Sequence, residues 1–356
     1  MSSDDGHAKR LIVPDVLRGV AILAMLIAHA APFLPDLPWA ARFLSGNIND
    51  LASPLFALVM GMSAQLLWNR SRSTPVTLMQ QIVRGIILVL LGLWMASWGS
   101  WVAIVLQPLG VLLVVGVPLL LLGTRMLWAV ALFVLVISQP VVSAAREGAW
   151  WFFAQGQAAS SLADWTLNGN HYRVMNLLPF FLLGALLIRR GLKRDGFLWT
   201  MAVLAPVMYL PATAIKALDL VPVTTGDYFD TLHDAGLVFA VYVLIVLIVT
   251  AKASPRNLRV RDAVVTPVRA WGQLALSLYL LHVAVIAAWN NGLGRPDHNI
   301  PVGWLLIVPG MGLIAWLWWR YVGTGPVEWL MGFVTRRPKP LRQPRPHRRD
   351  EAERRA

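Results

Sequence analysis

The chain has no cysteine among its 356 residues. That removes disulfides, thiolate nucleophiles, thiolate metal sites and S-acylation from consideration, and it says nothing of compartment. Charge is scarce as well. Only 14% of the residues are Asp, Glu, Lys or Arg, against about 25% in a typical soluble domain. No His and carboxylate spacing resembles a metal site, so no metal is expected, and there is no glycine-rich phosphate loop. No internal repeat is visible, which disfavours inverted-repeat transporters. Hydrocarbon fills the chain instead: 57% of it is hydrophobic, with 17 tryptophans. Repeated apolar runs near 20 residues make this an all-α polytopic membrane protein.

The acids are few, 18 against 31 Lys and Arg, for a formal net charge of +13. In a soluble chain that excess would suggest nucleic acid. Here the basic residues fall between apolar runs and in the tail, as expected of loops facing an anionic cytoplasmic leaflet, and no nucleic-acid partner is expected. Hydropathy predicts about ten spans, near 12–31, 51–68, 82–99, 101–122, 126–144, 172–188, 197–216, 232–251, 270–290 and 302–320. With the N-terminus inside, Arg70, Arg125, the Arg189 to Arg194 cluster and the Lys252 to Arg269 loop become cytoplasmic. Asp219, Asp227 and Asp230, in a loop without Lys or Arg, become external. Both termini are then cytoplasmic. Residues 1–11 form an N-terminal arm, 12–331 the transmembrane domain and 332–356 a disordered basic tail. The longest outer loop, 145–171, carries Trp150, Trp151, Phe152, Phe153, Trp165, Asn168 and Asn170. It suits an interfacial helix or the roof of a sugar-stacking cavity.

The first span should be pure hydrocarbon and is not, since it contains Asp15, Arg18 and His29. At about 100° per residue, Arg18 and His29 fall about 20° apart around a helix, and Asp15 lies about 60° from Arg18. Ionisable groups in a span cost roughly 2.5–3.5 kcal/mol each, so they normally face a bundle interior or a polar cavity. A cleavable signal peptide fits poorly, because its apolar region would not carry an Asp and an Arg. Arg18 suits a phosphate or carboxylate; it also has Asp15 one turn away, and the two can simply pair. His29 suits a general base, and His282, mid-span with Tyr279 one turn earlier, is a second candidate or a helix-packing histidine. Asn47, Asn49, Asp50 and Ser53 stand at the start of the second span, where Asp50 is either catalytic or a helix cap. Gln107 and Asn176 are amides suited to bonding between helices.

Several motifs resemble known families. Arg18-Gly19 followed by His29, an Arg-x10-His pattern, is similar to the signature of the type 3 membrane acyltransferases, as is Ser277-Leu278-Tyr279-Leu280-Leu281-His282. The run from Asn49-Asp50 through Ser53-Pro54-Leu55-Phe56 to Gly61 resembles the YeiB-like group and the heparan-α-glucosaminide N-acetyltransferase domain. So do Leu178-Pro179-Phe180-Phe181-Leu182-Leu183-Gly184 and Gly325-Pro326-Val327-Glu328-Trp329. The resemblance implies transfer of an acyl group, usually acetyl from acetyl-CoA, to a hydroxyl or amine of an extracytoplasmic glycan or glycolipid at a cell membrane. The heparan enzyme has its catalytic histidine where this chain has Ala40, so the resemblance passes catalysis to His29. Asp15, Arg18 and Arg84 are the residues expected to hold the acyl-CoA, with Asp50 or Asp15 supporting the histidine charge. Membrane lipids are the other expected partners, and a homo-oligomer is compatible with the sequence. The alternatives are a transporter or flippase for a glycolipid or small anion, and a non-catalytic partner in envelope assembly.

Overall fold

In the computed structural model, which describes residues 12–71, 73–218, 220–221, 223–251, 255–335 and 340, every regular element is a helix. The expected N-terminal arm, Asp219, Lys252 and nearly all of the basic tail lie outside the described residues. Eight helices or helix runs are long and apolar enough to cross a membrane. In chain order they are α1 (Ile12–Ala30, with a 3-10 turn at Ala31–Phe33), α2 (Trp39–Asn69), α3 (Thr74–Ala96), α5 (Thr124–Glu147), α9 (Gly196–Ala217), α10 (Tyr228–Val249), α12 (Ala275–Leu293) and the run from α13 (Pro301–Leu305) through a π turn to α14 (Met311–Tyr321). Two further expected spans are shorter. These are α4 (Leu106–Leu119), of 14 residues, and α8 (Val174–Arg190), of 17. At about 1.5 Å per residue α4 covers about 21 Å, less than the hydrocarbon thickness of about 30 Å. Arg189, at the end of α8, donates to the Leu120 and Leu122 carbonyls and to Gln65 Oε1, at 2.6, 2.8 and 2.9 Å. A guanidinium thus satisfies carbonyls left open where the short α4 stops.

Three boundaries differ from the sequence expectation. The second span does not begin near residue 51. Pro38 stands at the N-cap and no proline follows it before the expected start, so α2 starts at Trp39 and runs for 31 residues, with Pro54 accommodated inside it. Asp50 therefore lies inside a helix and is not its cap. Pro54 removes the amide that would have bonded the Asp50 carbonyl. The expected basic loop 252–269 is largely α11 (Pro255–Gln273), a polar helix that stops one residue before α12 begins. The loop 145–171, expected on the outer side, folds into α6 (Ala149–Ala154), α7 (Gln157–Ala163) and a π turn, with Trp150, Trp151 and Phe153 exposed, the pattern of an interfacial segment.

Helix α1 is the axis of the site. It buries Val16, Leu17, Ala21, Ile22 and Met25 and packs on α2, α11, α10 and α12. Its approach to α11 is close enough to require glycine on both helices. A Cβ on Gly19 would stand 1.8 Å from the Val268 carbonyl oxygen, and one on Gly272 would stand 1.9 Å from that of Asp15. Small residues permit such backbone contact between helices in a membrane. At this same end of the bundle α15 (Pro326–Val334) docks on α12.

Candidate active site

The site is strung along α1 between two groups. At one end Asp15 is buried, 3% exposed, and its carboxylate meets Arg18 at 3.5 Å and Arg269 at 3.7 Å. Gln273 Nε2 donates to Asp15 Oδ2 at 3.1 Å, and Trp319 Nε1 donates to Gln273 Oε1 at 3.0 Å. Arg18 spans the gap to α2 and α11, donating to Ser63 Oγ and to the Gly272 carbonyl. The structure thus realises the Asp15–Arg18 pair and extends it into a network. Arg84, on α3, lies within electrostatic reach of both Arg18 and Glu328, and its Nε is buried without a hydrogen-bond partner. Sequence reasoning missed Arg269 and Glu328 as members of this end. Glu328, on α15, accepts the Leu276 and Ser277 amides at 2.7 and 3.1 Å and the Ser277 hydroxyl. That is a carboxylate at a helix N-terminus, where the macrodipole favours it, and it anchors the helix that carries His282.

At the other end His29 Nδ1 lies 2.9 Å from His282 Nε2, and the two rings stack with centroids 5.1 Å apart. The histidines are 253 residues apart in sequence. His282 is fully buried, and its Nδ1 stands 3.2 Å from the Leu278 carbonyl oxygen. Tyr279 packs edge-on against His282 and accepts the Val105 amide at 3.2 Å. An aromatic collar holds the end of α1: Trp101 Nε1 donates to the His29 carbonyl at 3.2 Å, and Phe33 packs edge-on against Trp101 and Trp289.

The hydrogen-bond partners assign the protons. A carbonyl only accepts, so His282 Nδ1 carries the hydrogen and a neutral His282 presents Nε2 as acceptor. His29 Nδ1 must then donate to it, which leaves the lone pair of a neutral His29 on Nε2. No hydrogen bond of that nitrogen is formed among the described residues. An oriented imidazole with a free Nε2 is chemically a base or a nucleophile.

The structure does not bring Asp50 to His29. Asp50 sits on another face of α2, with Lys216 Nζ 3.4 Å and His233 Nδ1 3.9 Å from its Oδ2. His233 Nδ1 is also 3.5 Å from Asp234, while Asn47 Oδ1 accepts from Tyr209 at 2.7 Å and lies 3.2 Å from His233 Nε2. This polar cluster joins α2, α9 and α10, and His233 and Asp234 were not singled out from sequence. A signal existed, His233-Asp234 within an apolar run. Asn176 bridges α8 to the turn before α10, donating to the Gly226 carbonyl and accepting from Arg173. Gln107 is buried against Gly92, its Oε1 without a hydrogen-bond partner. Asn49 donates to its neighbour Asp50 at 3.2 Å.

Residues 12–320 match the model of the acyltransferase 3 family, an acyltransferase domain. A search of individual characterised proteins gave no match. The matched stretch begins with α1 and ends within α14, so it contains Arg18, His29 and His282 together. This chain, a multi-pass membrane protein, belongs to the acyltransferase 3 family.

Proposed function

We propose that the protein transfers an acyl group, acetyl in the simplest case, from cytoplasmic acyl-CoA to a hydroxyl or amine of an extracytoplasmic glycan or glycolipid. The observation that carries the reading is the His29–His282 pair, which leaves His29 Nε2 as the free basic nitrogen. Nε2 takes the proton of the acceptor hydroxyl as its oxygen attacks the thioester carbonyl. When the tetrahedral adduct collapses, the imidazolium returns that proton to the departing CoA sulfur. His282 Nε2 holds the ring in register and accepts part of the imidazolium charge. In the variant route Nε2 itself takes the acyl group and passes it on.

The donor lies at the other end of α1. Arg18, Arg84 and Arg269 face two carboxylates there, Asp15 and Glu328, and the buried Arg84 Nε lacks a partner. That surplus suits the phosphates of acyl-CoA. Arg18 and His29 are eleven residues apart, about 16 Å along the helix, a span for the pantetheine arm. The Arg18 end is assigned to the cytoplasm because Arg70, Arg125, Arg190, Lys193, Arg194 and Arg261 all fall there by helix alternation. The sequence runs that resemble the YeiB-like and heparan N-acetyltransferase groups favour a sugar acceptor.

Because the chain has no cysteine, orientation and reaction are testable together. Asn291→Cys in intact cells is expected to react with an impermeant thiol reagent and Arg190→Cys is not. Protein in lipid nanodiscs should release CoA from acetyl-CoA when envelope glycolipid is added. The reverse labelling pattern removes the need for a threaded donor, and absence of acceptor-dependent CoA release refutes the transfer itself.

A further inference from the structure

Beyond His29, toward the same end of the bundle, α1, the start of α2 and the loop after α12 border an open cleft of about 490 Å³, whose lining includes Ala28, Ala31, Arg42, Ser45, Asn49 and Arg295. Its depth follows from helix geometry. Ser63 marks the level of Arg18 on the antiparallel α2, so the level of His29 falls eleven residues earlier, near Ala52. Asn49, Ser45 and Arg42 then lie about 4, 10 and 15 Å further out. They recur at i, i+3 and i+7 along one side of the helix, while Asn47 and Asp50 turn to Tyr209, Lys216 and His233.

The two arginines of this cleft are unlike the other cations nearby. Lys216 has Asp50, and Arg173, outside this cleft, donates to Asn176 and the Thr225 carbonyl while its Nη1 is buried without a hydrogen-bond partner. Arg42 donates to the Leu37 carbonyl at 3.3 Å, and neither Arg42 nor Arg295 meets a carboxylate among the described residues. Asp297, two residues from Arg295, is taken by His298 at 2.7 Å. Arginine is depleted from this side of a membrane protein by the positive-inside rule, yet two approach one cleft with a hydroxyl and an amide between them.

Resting on the acyl-transfer reading for which end takes the acceptor, we propose that this cleft binds a phosphoryl group of the acceptor. Two guanidinium forks match the charge and the several oxygens of a phosphate. A single carboxylate would leave one arginine uncompensated. The phosphoryl group is carried by a lipid or by a soluble glycan, and the acceptor hydroxyl reaches inward from it to His29.

The test compares the wild-type protein with the Arg42→Gln/Arg295→Gln double variant in phosphatidylcholine nanodiscs. Titration with glucose 1-phosphate probes a soluble phosphate. Native mass spectrometry of nanodiscs doped with phosphatidic acid, a phosphomonoester, probes a lipid-borne one. At least one probe is expected to bind the wild type at least tenfold more tightly than the variant, glucose to bind neither, and acyl-CoA affinity to stay within twofold in both, which also reports folding. Equal binding of both phosphate probes to the two proteins overturns the proposal. The outcome is independent of turnover. If wild-type protein never releases CoA the acyl-transfer reading fails, whereas arginine-dependent phosphate binding in that case still identifies an anion site.

Discussion

Arg18 and His29 share one helix and one stripe, yet their surroundings are opposite in kind. Around Arg18 are two further guanidiniums, two carboxylates, a serine, a glutamine and a backbone carbonyl, drawn from α1, α2, α3, α11 and α15. Around His29 are a second imidazole, a tyrosine one turn from it and an aromatic collar, with no carboxylate in contact among the described residues. A guanidinium cannot give up its charge, so its site must supply counter-charges. An imidazole can be neutral, and a low-dielectric site keeps it so until a proton arrives. On the proposed reading, one end holds a permanent anion and the other exchanges a proton. The His233 cluster sharpens the contrast, since there a buried histidine does have Asp50 and Asp234 beside it.

The comparison breaks first at His29. His29→Ala is expected to lower the transfer rate by about 10²–10⁴-fold while acyl-CoA affinity stays within twofold, read from CoA release and equilibrium binding. A variant retaining more than about a tenth of the wild-type rate would be falsifying evidence against a base at this position. Losing the partner that fixes a catalytic imidazole's tautomer costs up to about 10⁴-fold, and a loss of at least about 10-fold is expected for His282→Ala. It should fall on kcat rather than on KM for acyl-CoA. His282→Gln, whose amide can accept from His29 and also donate, should recover part of that rate. Equal activity of the Ala and Gln variants would mean that His282 only fills space.

Arg18→Gln and Arg84→Gln probe the charged end. A hydrogen bond to a charged group contributes about 1.5–3 kcal/mol, so each change should weaken acyl-CoA binding by about 10–100-fold. A short thioester without the nucleotide should react at an unchanged rate, and equal losses for both substrates would place the arginines outside the donor site. The smallest effect is expected at Asp50. Its pair with the half-exposed Lys216 is worth about 0–1 kcal/mol, so Asp50→Asn should alter thermal stability slightly and the transfer rate by less than twofold. A tenfold fall in rate would return a carboxylate to the service of His29.

The membrane class, eight of the ten expected spans and the Arg18–His29 stripe were legible in the sequence, because hydropathy and the 3.6-residue period are local properties. Helix ends were less so. Trp39 to Asp50 look like a polar loop but continue α2, since polarity there reflects solvent beyond the hydrocarbon and not a break in the helix. The basic stretch before Trp271 is likewise a helix, held by glycines that let α11 touch α1. Arg18 paired with Asp15 was foreseeable from spacing, whereas Arg269 and Glu328 at the same end were not. His29 and His282 were separate candidates in sequence. Only the packing of α12 on α1 set one ring nitrogen 2.9 Å from the other, and only packing turned Asp50 away toward Lys216 and His233. The sequence by itself determined which side chains must leave the lipid, because burial costs are intrinsic to each residue. Which of them meet was decided by helix contacts between segments more than two hundred residues apart, a long-range property that no local pattern encodes.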